Sequence, residues 1–180
     1  MSFKVGDSNN YVTGDFSKLE KLIENLGKKI YVDIGILGDN NKTNEEGLTT
    51  AGIGAVQEFG TDKAGRGRKT VIPERSFIKM PLETGQEAIT KSIEPKIKQF
   101  IQDGNIEGLF KLIGIAGEAR IQEAFDTAGF GTWPDNSDVT INGSKPNKAG
   151  EKFIEGKGSD RPLIDEGTLR NSITSKVGGK

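Results

Sequence analysis

The chain has 180 residues, a formal net charge of −1, 33% apolar residues, and neither cysteine nor histidine. That length suits one ordinary domain, and the near-neutral charge gives no global pull toward nucleic acid or membrane, so an electrostatic partner must meet a local patch. The absent cysteines exclude disulfides and thiolate chemistry, while the absent histidines remove the commonest general base, the imidazole metal ligands and every Ser-His dyad.

Residues 1–14 read as an N-terminal arm, and Met1 to Val5 lacks the apolar stretch of a secretory leader. From Asp15 to Leu26 the spacing predicts an amphipathic helix, with Phe16, Leu19, Leu22, Ile23 and Leu26 on one face. Asp15 is its expected N-cap and Gly27 its stop. Ile30 to Leu37 alternates as a strand, closed by Gly38-Asp-Asn-Asn. A polar loop over 39–50 leads into a short helix, Ala51 to Phe59, that presents Ile53, Val56 and Phe59 and stops at Gly60. Residues 61–70 form a basic, glycine-punctuated loop. Val71 to Ile78 is extended, with Pro73 holding Ile72 out of the helical region.

The centre is helical. Pro81 suits a first helical turn, and Leu82, Ile89, Ile93, Ile97 and Ile101 make one stripe. Pro95 predicts a kink near Ser92 or a split into two helices. After a turn at Asp103-Gly-Asn, a second helix runs from Ile106 to Ala128, carrying Leu109, Leu112, Ile113, Ala116, Ala124 and Phe125. Gly108, Gly114 and Gly117 each lower its propensity by about 1 kcal/mol against alanine, but allow close contact with a sheet. Residues 129–160 are polar and rich in glycine, asparagine and lysine. Within them Val139-Thr-Ile and Lys152-Phe-Ile can pair as a small hairpin. Thr168 to Val177 ends as a strand, with Gly178-Gly-Lys as a frayed tail. No run of 18 apolar residues occurs, so no membrane span is expected.

The expected architecture is one α+β domain over 1–180: a small mixed or antiparallel sheet covered by two central helices, with long loops projecting at 61–70 and 129–160. The 25 glycines and the low apolar fraction fit a modest core with loops that a partner orders.

Four cations, Lys63, Arg66, Arg68 and Lys69, lie close together in the basic loop. They suit DNA phosphates or an acidic neighbour, or simply a solvated loop; no aromatic residue interleaves for base stacking. Gly60 to Gly65 begins like a phosphate loop but continues Arg66-Gly67 where lysine and a hydroxyl residue are required. The acidic pairs Glu45/Glu46, Glu118/Glu123 and Asp165/Glu166 lack metal-ligand spacing and read as solvated faces. Trp133, the single tryptophan, is either a core anchor with a bonded indole N–H or an interface anchor. No catalytic, metal-binding or cofactor-binding residue is assigned, and the chain is expected not to be an enzyme.

Two stretches carry a resemblance. The first is Ala55-Val-Gln-Glu-Phe-Gly-Thr, a basic loop, then Ile72-Pro-Glu-Arg-Ser-Phe-Ile. The second runs from Ala124-Phe through Trp133-Pro134 and Lys157-Gly158 to Arg161-Pro-Leu-Ile-Asp-Glu-Gly-Thr-Leu-Arg-Asn-Ser-Ile. In this order they resemble the tail completion (virion morphogenesis) family of long-tailed bacteriophages. Ser76 stands where that family usually has proline, and Glu166 where it has threonine or serine. The resemblance implies a structural virion protein that joins tail to head at the neck, in a ring of about six copies. Its implied partners are itself, other neck and tail proteins and DNA passing through the lumen, with assembly in the host cytoplasm. A tail terminator capping the tail tube is the alternative within that class. A DNA-binding module using the 63–69 loop is the alternative outside it.

The motif positions Glu58, Gly60, Pro73, Arg75, Phe77, Pro162, Leu163, Gly167, Leu169, Ser172 and Ile173 are then structural. Pro73 and Arg75 would fix the extended lead into the central helix, with Phe77 as its first core anchor. Gly60 and Gly167 would supply turns, and Leu169 and Ile173 would bury the C-terminal edge.

Overall fold

The computed structural model describes residues 2–5, 12–15, 17–27, 29–45, 47–65, 67–145, 153, 155–164 and 167–179. In chain order the first half holds β1 (Ser2–Val5), β2 (Val12–Asp15), α1 (Ser17–Leu26), β3 (Ile30–Ile36), α2 (Thr50–Phe59), β4 (Thr61–Ala64) and β5 (Thr70–Ile72). Then follow α3 (Lys79–Thr84), α4 (Gln86–Gln102), α5 (Ile106–Asp126), α6 (Ala128–Gly131), α7 (Asp138–Asn142), α8 (Thr168–Asn171) and β6 (Ile173–Gly179). The fold is mixed α+β. Its strands form three antiparallel pairs: β1 with β2, β3 with β6, and β4 with β5.

The scaffold is built on the β3–β6 ladder, which runs from Ile30 opposite Gly179 to Ile36 opposite Ile173. Alternation places Val32, Ile34, Ser175 and Val177 on one face, and α5 lies across it. Two buried glycines permit that approach. A Cβ on Gly114 would sit 2.8 Å from Ser175 Cβ, and one on Gly117 would sit 2.5 Å from Ile34 Cδ1. The sequence-level expectation for these glycines is met. Helix α4 packs along α5, burying Ile93, after a turn in which the Asn105 side chain caps α5 at Gly108 N, 2.9 Å.

Phe77, Ile121, Ala124, Phe125, Trp133 and Ile173 form the core, with Ile34, Ile36, Leu82 and Leu169 against it. The Phe125 ring centre lies 5.4 Å from that of Phe77 and 5.8 Å, edge-on, from that of Trp133. Burial of each such ring contributes about 2–3 kcal/mol, and the tilted geometry adds about 1 kcal/mol per pair.

Several local expectations are corrected. Asp15 is the last residue of β2 and not an N-cap, because α1 starts at Ser17. Ile23 is largely exposed. Phe16 lies outside the described residues, as do the side chains of Leu19, Leu22 and Leu26. Val56 and Phe59 point outward, Phe59 being 70% exposed. Helix α2 instead turns Gly54 and Glu58, one turn apart, toward the interior. The break near the central prolines falls at Gly85, between α3 and α4, where the Arg120 Nε occupies space that a Cβ would need, 2.6 Å away. Pro95 sits inside an unbroken α4 on its exposed side, where water can bond the carbonyl that the missing N–H leaves.

The 61–70 loop is a hairpin, with Thr61 opposite Ile72 and Ala64 opposite Thr70. The region read as an N-terminal arm contributes the β1–β2 pair, Ser2–Val5 with Val12–Asp15. Val139 to Ile141 is helical within α7, so it forms no hairpin strand; Lys152 and Ile154 lie outside the described residues. Gly178 and Gly179 belong to β6, opposite Tyr31 and Ile30, and are no frayed tail.

The Gly114→Ala variant tests the closeness of α5 to the ladder. Helix propensity favours alanine by about 1 kcal/mol, but Ser175 Cβ cannot rotate away. A net loss of about 1–2 kcal/mol is expected, read as a lower urea midpoint at unchanged slope. A raised midpoint would show that the helix does not press on the ladder there.

Candidate functional site

Glu58 is the one charged residue of α2, and it is buried. Its carboxylate accepts from Ser76 Oγ at 2.7 Å and from three consecutive amides: Phe77 N at 2.7 Å, Ile78 N at 2.9 Å and Lys79 N at 3.0 Å. These amides open α3 and have no partner within that helix, so α2 supplies the cap for α3. Ser76 Oγ also accepts from Met80 N at 3.0 Å.

Gly60, at φ 66°, turns the chain out of α2. A Cβ there would meet Glu74 N at 2.7 Å and Ile72 O at 2.9 Å, so only glycine lets the 72–75 segment return so closely. Arg75 N then donates to Gln57 O at 2.8 Å.

Arg75 reaches the other way. Its buried guanidinium donates from Nε to Pro134 O at 2.9 Å and from Nη2 to Asp135 O at 2.8 Å. Burial pulls its pKa below the ordinary guanidinium value, and the Asp135 carboxylate opposes that shift. Trp133 Nε1 donates to Ser76 O at 3.1 Å and the ring is buried, so of the two readings of this residue the core anchor is the one found. Within the 129–160 region, the described residues 133–137 and 157–160 are tied down by hydrogen bonds. Asn136 Nδ2 donates to Asp160 O and Arg161 O, and Lys157 Nζ to Arg161 O and Ile164 O.

The C-terminal motif residues close the same side. Pro162 is buried, Leu163 adopts φ 60°, and Gly167 adopts φ 76° at the start of α8. Ser172 Oγ donates to Leu169 O at 2.6 Å, and Ile173 enters the core. Pro73 is half-buried beside Arg75 in the wall of the main cleft.

The cations behave differently. Lys63, Arg68 and Lys69 are all exposed on the β4–β5 hairpin, whose turn includes Gly65 at φ 74° and Arg68 at φ 49°. Arg66 lies outside the described residues. The hairpin thus presents its described cations to solvent, unlike the buried Glu58 and Arg75.

Between α2, β5, the 135–140 segment and α8 runs an open cleft of about 1020 Å³. Leu48, Ile53, Val71 and Leu169 give it apolar walls, Lys42 and Lys157 line it, and Asp135 is its one carboxylate among the described residues. Among those residues no carboxylate pair faces across it to act as acid and base. Among the described residues no group of three acidic, histidine or cysteine side chains could hold a metal ion, and no helix is long and apolar enough to cross a membrane.

Compared with family models, curated proteins and solved structures, the chain matches none. The phage-family resemblance rests on the ordered motifs alone.

Two anchoring residues escaped the sequence reading. Arg170 ties α8 to α5, donating from Nε to Gln122 Oε1 at 2.7 Å and pairing with Asp126 at 2.8 Å. Arg120 pairs with Glu123 at 2.7 Å and lies 3.9 Å over the Phe130 ring. Arg170 has no local sequence signature, because Gln122 and Asp126 meet it by tertiary contact; the Arg120–Glu123 pair is an i,i+3 neighbour on α5 and was legible, whereas the Phe130 contact was not. Glu58 did carry a signal: a lone charge in an otherwise uncharged helix needs donors supplied from elsewhere.

Glu58→Ala strands three amides and a hydroxyl, so it should cost about 3 kcal/mol or more. Glu58→Gln keeps the shape but turns an NH2 group toward N–H donors, and should recover little of that loss. Thermal melts of both variants check this, and a Gln variant as stable as wild type would rule out the cap. Arg75→Lys offers one ammonium for two carbonyls in different directions. We expect faster proteolysis around residues 134–145 in that variant, while the core helices stay protected.

Proposed function

We propose that this chain is a non-enzymatic structural protein of a tailed bacteriophage virion, completing the tail and joining it to the head in a ring of about six copies. One observation supports this most. Three of the residues in the motifs that carry the resemblance meet at a single node, where Glu58, Arg75 and Trp133 spend their polar groups on the 76–79 and 134–135 segments. Side chains committed in this way are not free for chemistry. They fix the paths of the β4–β5 hairpin and the 133–142 segment on a helical scaffold, as a joint protein requires of surfaces that meet neighbours.

The exposed hairpin favours a second reading, contact with DNA phosphates. Lys63, Arg68 and Lys69 stand on a turn with Asp62 as the only acid beside them. In a neck ring the two readings are compatible, since DNA passes through the lumen.

A reconstruction of purified particles tests the main reading directly. The expected result is a ring of this chain at the neck, and heads with unjoined tails when its gene is silenced. Particles that lack the chain, or normal joining without it, would overturn the proposal. For the hairpin, changing Lys63, Arg66, Arg68 and Lys69 to alanine should weaken low-salt DNA binding and flatten its salt dependence by up to about 3–4 in log–log slope. Undetectable binding by the unchanged chain at low salt removes the DNA reading.

A further inference from the structure

The β3–β6 ladder has two sides but only two strands. Among the described residues, neither strand has another partner on its outer edge. Each edge therefore presents seven residues of backbone that a further strand could pair with. The face away from α5 carries Tyr31, Asp33 and Lys176, all exposed. Asp33 is the middle residue of β3, Lys176 is the middle residue of β6, and the two stand opposite one another in the ladder.

We infer that copies of this chain join by strand addition, the outer edge of β3 on one copy pairing antiparallel with the outer edge of β6 on the next. Charge chooses among the full-length pairings. Two β3 edges would set Asp33 against Asp33, and two β6 edges would set Lys176 against Lys176. Only β3 on β6 sets Asp33 against Lys176, repeating the arrangement inside the chain. A lysine in mid-edge ordinarily discourages pairing; with an aspartate to meet it, the lysine selects the partner edge. Because it joins two different edges, the contact leaves one of each free at the ends of any row of copies. Such a contact propagates and closes into a ring when the rotation per copy allows. The α5 faces would then all lie on one side of a continuous antiparallel sheet. This deepens the ring reading above and rests on it for its place in the virion.

The chain has no cysteine, so single-cysteine variants give an unambiguous test. Directly opposed antiparallel residues stand about 4.5–5.5 Å apart between Cα atoms, within disulfide reach. Full-length Asp33→Cys and Lys176→Cys chains are purified separately, mixed, and oxidised mildly. The expected result is a disulfide-linked dimer in the mixture and in neither variant alone. A dimer of Asp33→Cys with itself, or of Lys176→Cys with itself, would overturn the pairing, and so would no cross-link in the mixture. Light scattering separates this failure from failure of the ring: a ring-sized oligomer without the 33–176 cross-link refutes strand addition only. Loss of the neck location in particles refutes the ring reading on its own. As a charge test, Lys176→Asp should weaken self-association, and adding Asp33→Lys should restore it. Circular dichroism confirms that both variants fold. Restoration failing in a folded double variant counts against the inference.

Discussion

The fold turns on the carboxylate of Glu58. A buried charge is costly unless it is fully hydrogen-bonded, and this one receives four donors within 3.0 Å. The same contact fixes where α2 ends, where α3 begins and how Phe77 enters the core. Phe77 lies next to one of the bonded amides and is fully buried, so the polar cap and the apolar anchor position each other.

From that point the constraints spread outward by short range. Gly60 lets the 72–75 segment return against the end of α2, and the return delivers Arg75 to the carbonyls of Pro134 and Asp135. Those carbonyls follow Trp133, whose indole bonds back to Ser76. A closed circuit results: α2 to α3 through Glu58, α3 to the 133–135 segment through Trp133, and that segment back to the α2 neighbourhood through Arg75. Arg75 forms two charge-assisted bonds from a planar group, which suits a junction where two successive carbonyls must be held at fixed angles.

The surface is what remains once those groups are spent. Phe59 and Val56 face outward because Gly54 and Glu58 take the inward side of α2. The described cations of the basic hairpin are exposed, and among the described residues neither outer edge of the ladder is paired.

Local signals in the sequence were enough for elements whose stability is mostly their own. Alternating β-branched residues marked β3, helical spacing marked α2 and α5, and the glycines at 114 and 117 marked the close helix–sheet contact. The candidate residues 58, 60, 75 and 77 were legible as structural, and the cations as exposed. The break at Gly85, the helix in place of a strand at Val139 to Ile141, and the pairing of Gly178 and Gly179 were not legible. Each depends on a partner distant in sequence: Arg120 lies across Gly85, and Tyr31 and Ile30 lie opposite the terminal glycines. By itself the sequence determined the α+β class, the missing imidazole and thiol chemistry, the turn at Gly60 and the core anchor at Phe77. Only the tertiary structure decided which donors meet Glu58, which carbonyls meet Arg75, and that Trp133 is buried. Hydrogen bonds between segments up to 60 residues apart are set by how helices and strands pack, and no local pattern encodes that.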